Sequence, residues 1–389
     1  MPSTQARQTC TVALLADVPS TGHLGAAQAR RFSLSGNDSD ERYGAFVTYA
    51  QEQAQAGQRI VALYPRWRAQ HPQRAIGYAR GSLRDDLVAD VGLDLPPLAL
   101  SLLADQLTYL APYLPPGLVA ELPRHLTPHM LGGAWLGRVN NLAALPVSFR
   151  QHLQSYLPKT SFLALSLPEH SITALPGRSH AFTLPARPEA PVQMLVSAPE
   201  NTNTEQFSAR LTPRLGQVSS RTLPEQPLSQ AYWGCKRYVE FVAFSAHPQA
   251  LTQAVYAIRA VKCQWCREPV AEQVCRFCAA RNLVSAGRLP ADPRASQLPS
   301  PVQESGTDTS MAESQRCDTT EPGDAPPTTT TPNAPVATAS SGSAPPTVPA
   351  SSNGQHAETV APGGAFRSQP LAPDSPAAPA SPEHRNGDA

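Results

Sequence analysis

Four cysteines in one short stretch constrain the fold of this 389-residue chain more than any other feature. In the run VKCQWCREPVAEQVCRFCAAR, Cys263 and Cys266 form one C-x2-C pair, and Cys275 and Cys278 form a second pair eight residues further on. Two such pairs are the ligand pattern of a small structural zinc site. The sequence therefore predicts one zinc ion held by four thiolates, with no open position for water or substrate.

Two other interpretations of these cysteines are less favoured. Disulfides are typical of secreted chains, whereas the N-terminal sequence MPSTQARQTCTVALLADVP has only a short apolar run and lacks the pattern of a signal peptide. A redox C-x-x-C normally occurs once, at the start of a helix after a strand. The remaining thiols, Cys10, Cys235 and Cys317, are isolated in the sequence and are interpreted as free cysteines.

Composition limits how much of the chain can pack into a core. The chain contains 42 prolines and only 6% aromatic residues. From residue 290 to residue 389, proline, serine, threonine, alanine and glycine dominate, and Phe366 is the only aromatic residue. Such a segment cannot bury enough apolar surface to offset its conformational entropy. We expect residues 290–389 to form a disordered tail, which serves either to dock a partner or only to keep the chain soluble.

Charge and hydropathy narrow the classes of protein further. The 31 basic and 30 acidic residues nearly cancel, which argues against a polybasic protein. No segment approaches the ~20 consecutive apolar residues that a membrane-spanning helix needs. We therefore expect a cytoplasmic protein without a membrane partner.

The rest of the chain predicts a mainly α-helical fold. Residues 1–184 are expected to form a helical bundle, residues 185–228 a proline-rich linker, and residues 229–289 a helical hairpin that leads into the zinc module. Apolar residues at helical intervals in AYWGCKRYVEFVAFSAHP and QALTQAVYAIRAV support the hairpin. The leucines between Pro97 and Pro112 predict a helix of about three turns, and their irregular spacing further on excludes a leucine-rich solenoid.

A helix-turn-helix is one hypothesis for the N-terminal region. Residues 39–56 predict a good helix, because Ser39 is a favourable N-cap and Asp40 and Glu41 complement the helix dipole. Residues 58–68 then follow Gly57 as an apolar and arginine-rich segment, which can be a second, DNA-reading helix. A plain helical hairpin with exposed arginines is the favoured alternative, because Pro65 interrupts the second helix.

The cysteine run resembles the small zinc-ribbon and rubredoxin-knuckle class over residues 263–278. A helix such as QALTQAVYAIRAV that runs directly into two C-x2-C pairs is also similar to the C-terminal half of the C subunit of the flagellar master transcription activator, a zinc-containing regulator. What this resemblance implies is DNA binding in a transcription-related role.

Local charge is compatible with such a role. The candidate nucleic-acid contacts are the basic residues on and beside the module, namely Arg259, Lys262, Arg267, Arg276 and Arg281. These arginines either contact phosphates or are simply solvated. Trp265 and Phe277 either stack on bases or form a miniature core over the metal, and the core interpretation is favoured.

The functional prediction combines these observations. The sequence has no phosphate-binding loop, no G-x-S-x-G elbow and no H-E-x-x-H pair, so we expect a protein that is not an enzyme. The predicted function is a zinc-stabilised regulatory or accessory protein that acts on DNA or through a DNA-bound partner. The alternative is a protein-protein interaction scaffold, with partners on the helical regions or the tail and no nucleic-acid contact.

Overall fold

The computed structural model describes residues 9–83, 85–142, 144–157, 160–176, 182–200, 202–216, 218–247 and 249–282. The predicted tail, residues 290–389, lies outside the described residues, as do residues 283–289 of the predicted zinc module and Cys317.

A parallel sheet occupies the N-terminal part of the chain. Its elements and the helices around it are β1 (Cys10–Leu14), β2 (Arg30–Arg31), α1 (Ser39–Gln55), β3 (Arg59–Pro65), α2 (Gln70–Leu83), β4 (Val88–Leu93), α3 (Pro97–Leu110) and α4 (Pro116–Leu126). The strand order is β2-β1-β3-β4, and all pairs are parallel. The runs CTVAL and RIVALYP are almost entirely buried, as expected for strands that are covered by helices on both faces.

The two faces of this sheet contribute to two different cores. On one face, Leu15, Ile60 and Ala62 pack with α1 and α2. On the other face, Val61 and Leu63 pack with the apolar residues of α3 and α4. The N-terminal region is thus a three-layer α/β arrangement rather than a helical bundle.

A six-stranded sheet follows. Its elements and the helices beside it are β5 (Leu131–Leu136), α5 (Phe149–Gln154), β6 (Thr160–Leu167), β7 (Ser171–Pro176), β8 (Val192–Ser197), α6 (Glu205–Leu215), β9 (Val218–Leu223), α7 (Ser229–Trp233) and β10 (Tyr238–Ser245). The order is β7-β6-β5-β10-β8-β9, with β8 and β9 parallel and the other pairs antiparallel. Phe207 and Leu211 of α6 cover one face, and the other face packs toward α3 and α7.

The last described segment returns to the parallel sheet. It consists of α8 (Ala250–Ala257) and a hairpin of two short strands, β11 (Val261–Lys262) and β12 (Pro269–Val270). The four cysteines lie on and after this hairpin. Cys263, Cys275 and Phe277 belong to the same buried cluster as residues of β1, β3, α3 and α4, so the cysteine module is part of the main core.

The prediction of a mainly α-helical protein is wrong. The chain has mixed α/β architecture with two large sheets. Residues 185–228, expected to be a linker, contain β8, α6 and β9. Residues 229–289, expected to be a helical hairpin, contain β10, the strand between β5 and β8. In β10 the run YVEFVAFS is buried on both faces, and a short continuous apolar run does not distinguish a buried strand from a buried helix.

The helix-turn-helix hypothesis is also wrong. The first predicted helix is confirmed as α1, although Asp38 rather than Ser39 is its N-cap and accepts a hydrogen bond from the Glu41 backbone nitrogen. The second is β3, a fully buried strand followed by one short 3-10 turn over residues 66–68. A buried strand cannot enter a DNA groove. The helix predicted between Pro97 and Pro112 is confirmed as α3.

Among the residues that the structure describes, none of the helices combines the length and the apolar character needed to cross a membrane.

Candidate functional site: a four-cysteine cluster and a polar-rimmed cleft

The four predicted cysteines come together in space. The sulfur atoms of Cys263, Cys266, Cys275 and Cys278 all lie within 4.8 Å of one another. The Sγ–Sγ distances are 3.6 Å between Cys263 and Cys278 and 3.5 Å between Cys266 and Cys275. With Zn–S bonds of about 2.3 Å, a tetrahedral site has sulfur atoms about 3.8 Å apart. The cluster therefore has the size of a four-thiolate metal site.

Two matching backbone turns build the cluster. The backbone nitrogen of Arg267 donates to the carbonyl oxygen of Cys263 at 3.1 Å, and that of Ala279 donates to Cys275 at 3.0 Å. Arg267 and Ala279 have φ values of 66° and 58°, in the left-handed region that non-glycine residues rarely adopt. Each C-x2-C pair thus closes with the same strained turn, four residues after its first cysteine.

The electrostatics of the cluster favour ionisation of one thiol first. Burial opposes the Cys263 thiolate, but the backbone N–H groups of Cys266 and Trp265 outweigh this effect and lower the pKa of Cys263 to about 6. Burial raises the pKa of Cys275 to about 11 and also raises that of Cys266. Because a metal ion favours the thiolate form of its ligands, it would offset the burial cost of the others.

The module is joined to the parallel sheet by hydrogen bonds and one buried ion pair. The Arg276 carbonyl oxygen accepts from the Asp90 backbone nitrogen of β4 at 3.0 Å and from the Arg80 side chain at 2.9 Å. Glu268 pairs with Arg59 at 3.2 Å, and both side chains are buried. Glu268 also accepts from the Gly117 backbone nitrogen, in the first turn of α4, at 2.8 Å. These contacts attach the module to β3, β4 and α4.

The five basic residues proposed as nucleic-acid contacts differ in their exposure to solvent. Arg276 is half-buried and pairs with Glu272 at 2.6 Å, and its carbonyl group is used in the contact with β4. The other four, Arg259, Lys262, Arg267 and Arg281, are exposed. Phe277 is buried, as the miniature-core interpretation predicts, but Trp265 is 73% exposed and hydrogen-bonds Asp86 instead.

A cleft of about 190 Å³ lies at the carboxyl ends of β1 and β3, away from the cysteine cluster. Glu268 of the cysteine module pairs with Arg59, the amino-terminal residue of β3, so the module and the cleft are at opposite ends of this strand. The apolar part of the cleft is formed by Leu15, Ala16, Leu34, Pro65, Pro72 and Leu228. Its polar part is formed by Asp17, Ser33, Ser35, Arg68 and His71.

The connectivity of the sheet places this cleft at a special position. The chain passes from β1 to β2 on one side and then crosses to β3 on the other side. In open parallel sheets, the point where the strand order reverses leaves a crevice at the carboxyl ends of the strands, and ligands bind there. The cleft between the ends of β1 and β3 is this crevice.

Polar contacts hold the rim of the cleft in place. The carboxylate of Asp105, which is fully buried in α3, accepts hydrogen bonds from Ser20, Thr21, Ala29 and Arg31, the last at 2.7 Å. This fixes the loop between β1 and β2 and the start of the segment that carries Ser33 and Ser35.

Two polar side chains of the rim have visible orienting contacts. The His71 ring is oriented by a 2.8 Å hydrogen bond between its Nδ1 atom and the Tyr43 hydroxyl. The Arg68 guanidinium lies 5.2 Å from the centre of the Trp67 ring.

Sequence reasoning did not identify these cleft residues. The signal for them was present, because the apolar runs TVALLA and RIVALYP are followed by Asp17 and by Arg68 and His71. This signal indicates a binding cleft only when both runs are recognised as parallel strands whose carboxyl ends meet at one edge of the sheet.

Comparisons with known proteins give a likeness of fold. No family model and no curated protein matches the sequence. Among solved structures, a DegV family protein from Corynebacterium glutamicum is 14% identical with a TM-score of 0.45, and covers 62% of this chain and 98% of its own. A fatty acid (stearic acid)-binding protein from Eubacterium ventriosum is 10% identical with a TM-score of 0.43, covering 61% and 98%. A DegV family protein from Thermus thermophilus, described by its fatty acid binding, is 13% identical with a TM-score of 0.43, covering 61% and 100%. At these values the likeness assigns neither a family nor a ligand to this chain.

The prediction of a regulator that acts on DNA is wrong. The second helix of the predicted helix-turn-helix is the buried strand β3, and the predicted helical hairpin includes the strand β10. The similarity to the flagellar activator subunit is unsupported, because neither a family model nor a curated protein matches. The alternative of an interaction scaffold is no better supported.

Proposed function

We propose that this protein binds a small amphipathic carboxylate, such as a fatty acid, in the cleft at the carboxyl ends of β1 and β3. The observation that carries the proposal is the position of an amphipathic cleft at the reversal point of the strand order. The fatty acids named for similar structures supply the choice of probe, and the argument rests on the cleft itself.

The lining suits a molecule with one charged end and one apolar end. Arg68, His71 and the Ser33 and Ser35 hydroxyls are groups that donate hydrogen bonds to a carboxylate. Leu34, Pro65, Pro72 and Leu228 provide the apolar side. Asp17 is the one acid of the lining, and it directs the carboxylate toward Arg68 by repulsion.

The size of the cleft sets a limit on what it encloses. Pockets for drug-sized ligands usually have volumes of roughly 300–1,000 Å³, whereas this cleft has about 190 Å³. The carboxylate and the first part of an acyl chain fit inside, and a longer chain extends beyond the cleft. We therefore expect a medium-chain acid to be the most informative probe.

Arg68 provides the direct test. Titration of the full-length protein with decanoic acid, followed by calorimetry, should show binding that 1-decanol, with the same chain length and no carboxylate, does not reproduce. Arg68→Gln should weaken decanoate binding roughly tenfold or more, because hydrogen bonds to charged groups contribute about 1.5–3 kcal/mol. Arg74→Gln, which removes an exposed arginine of α2 outside the cleft, is the matched control. Equal binding of acid and alcohol, or unchanged affinity in Arg68→Gln, would contradict the proposal.

We also propose that the four-cysteine cluster binds one zinc ion and that the ion stabilises the fold. Support comes from the spacing of the sulfur atoms and from the absence of a position for a fifth group in a closed four-thiolate set. With a structural metal and a cleft built for binding, we propose that the protein does not act as an enzyme.

Metal analysis of the purified protein tests the zinc proposal. About one zinc per chain is expected, and Cys275→Ser should lose most of it, because three thiolates hold the ion less tightly. Cys235→Ser is the control, since Cys235 lies outside the cluster. Wild-type protein with little zinc, or equal zinc in the two variants, would count against the proposal.

A further inference from the structure

The segment that contains α5 exposes its apolar side chains to solvent. The exposed fractions are 78% for Phe149, 53% for Leu153, 67% for Tyr156 and 58% for Leu157. Among the described residues, these four make up half of the eight large hydrophobic side chains that are exposed. Phe149 and Leu153 are four residues apart on α5, and Tyr156 and Leu157 follow in turns in which their backbone nitrogens donate to the Leu153 and Gln154 carbonyl oxygens. We call this set the α5 face.

Two polar side chains of the same segment, Gln151 and Ser155, make hydrogen bonds with the protein. Gln151 donates a hydrogen bond from Nε2 to the Ile172 carbonyl oxygen at 2.7 Å. Ser155 is buried, and its Oγ atom accepts from the Val139 backbone nitrogen at 3.1 Å. A surface helix normally has the opposite arrangement, with apolar residues inward and polar residues outward. This inversion indicates that the α5 face is covered by something other than the described part of the chain.

The size of the face favours a lipid surface over a second protein. Phe and Tyr side chains bury about 150–250 Å² each, so the four side chains together expose on the order of 400 Å². A standard protein-protein interface buries about 800 Å² on each partner. An interfacial segment on a membrane needs only such a small apolar face with polar or basic residues beside it.

The sequence on both sides of the face has basic residues and no acidic ones. Arg150 is exposed next to Phe149. The sequence has no acidic residue between Glu121 and Glu169, and Lys159 follows the face by two residues. Basic residues beside exposed Phe, Leu and Tyr side chains are typical of segments that lie in a membrane interface.

We propose that the α5 face docks on the surface of a membrane that contains anionic phospholipids. Phe149, Leu153, Tyr156 and Leu157 enter the boundary between headgroups and acyl chains, and Arg150 contacts the phosphates. The proposal departs from the expectation of a protein without a membrane partner. It does not depend on the ligand of the cleft.

Vesicle flotation tests this proposal with the full-length protein. The protein should float with vesicles of mixed phosphatidylcholine and phosphatidylglycerol at low salt, and less with pure phosphatidylcholine. Phe149→Gln combined with Leu153→Gln should reduce the bound fraction by about fivefold or more, because the buried apolar area falls sharply. Arg150→Gln should reduce binding to the mixed vesicles and weaken its dependence on salt.

Three controls keep the outcomes distinct. Tyr256→Gln removes a comparably exposed aromatic residue of α8, 51% exposed, and should float like the wild type. Arg68→Gln alters the proposed cleft and should leave flotation unchanged, so the two proposals can fail separately. Thermal unfolding of each variant checks that it is folded.

Two results would overturn the proposal. One is a wild-type protein that stays unbound with anionic vesicles at low salt. The other is a wild-type dimer that Phe149→Gln with Leu153→Gln converts to a monomer without changing flotation, which would make the α5 face an interface between two copies.

Discussion

At the scale of single residues, Glu240 is a carboxyl group held entirely inside the protein. It lies on β10, where its neighbours Val239 and Phe241 point to the opposite face of the sheet. Its Oε1 atom accepts from the Leu98 backbone nitrogen, in the first turn of α3, at 2.9 Å, and its Oε2 atom accepts from the Ser229 hydroxyl. Burial raises the pKa of Glu240 to about 7. Glu240 thus connects the six-stranded sheet to α3 and α7 while remaining hard to ionise.

This pKa predicts a pH dependence of stability. Between the usual value of 4.5 and the folded value of about 7, the folded state binds more protons than the unfolded state. The free energy of unfolding must therefore fall as the pH rises through this window and level off above it. The loss is on the order of 3 kcal/mol, since each pKa unit corresponds to about 1.4 kcal/mol.

Glu240→Gln should remove this dependence while keeping both hydrogen bonds, because an amide accepts from Leu98 and donates to Ser229. Denaturant unfolding between pH 4.5 and 8 is the measurement, and the variant should gain stability relative to wild type as the pH rises. Glu205→Gln, on the exposed surface of α6, is the control. Parallel pH curves for wild type and Glu240→Gln would exclude this role.

The roles of some single residues could be predicted from the sequence, and those of others could not. The cysteine cluster could be predicted because its spacing is local, with both C-x2-C pairs inside sixteen residues. Asp105 could not, because the groups that it holds, such as Thr21, are 84 positions away. Glu240 lies in a segment that the sequence predicted to be helical, and only the packing of β10 against α3 shows why it is buried.

At the scale of elements, the cysteine module covers the edge of the parallel sheet. β4 is the outer strand of that sheet, and the Asp90 backbone nitrogen donates to the Arg276 carbonyl oxygen. The unpaired backbone groups of an exposed edge strand can form hydrogen bonds with other chains, and covering the edge prevents this. The module also packs closely on α4. A Cβ atom on Gly117 would lie 2.2 Å from the Pro269 carbonyl oxygen.

This close approach predicts opposite effects of the same substitution at two glycines. Gly117→Ala should destabilise the protein, because the new methyl group meets backbone rather than a flexible side chain. Gly77→Ala, in the interior of α2 with open space around it, should stabilise it by about 0.5–1 kcal/mol through helix propensity. Thermal unfolding compares the two. If Gly117→Ala melts at or above the wild-type temperature, the module does not pack on α4 as described.

Helices were predicted correctly where residues at or near their ends mark a boundary. α1 was predicted from the acidic residues of its first turn, although Ser39 was taken as its cap instead of Asp38, and α3 was predicted from its leucines and the prolines that bound it. β3 and β10 have no such signals, and they are apolar without alternation because both faces are buried. A continuous apolar run of this length predicts burial but not the type of element.

At the scale of the whole molecule, the cysteine module does not form an independent domain with the residues before it. The segment 229–289 includes β10, whose neighbours β5 and β8 lie outside the segment. Without them β10 has two unpaired edges and no core to cover its faces. The sequence suggested a separate module because the cysteines are local, whereas the partners of the module are distributed along residues 10–126.

Removing the residues before 229 and removing the residues after 287 should therefore have opposite effects on cooperative folding. A fragment of residues 229–289 should show no cooperative thermal unfolding, even with zinc present, because one strand cannot form a sheet. A chain ending at residue 287 should unfold cooperatively within a few degrees of the full-length protein, if the tail is as poor in packing surface as its composition predicts. Circular dichroism melts distinguish these outcomes, and a cooperative melt of the short fragment would contradict the account of β10.

The position of β10 between β5 and β8 also determines when the six-stranded sheet can form during translation. A ribosome releases β5 and β8 before β10 exists, so the inner edges of both strands remain without their partner until residue 245 has emerged. The residue that covers Asp90 on β4, Arg276, emerges later still. A nascent or prematurely terminated chain that ends before residue 238 carries open strand edges in both sheets, and such edges promote aggregation. The native sheets can therefore close only after the chain has emerged through the cysteine module.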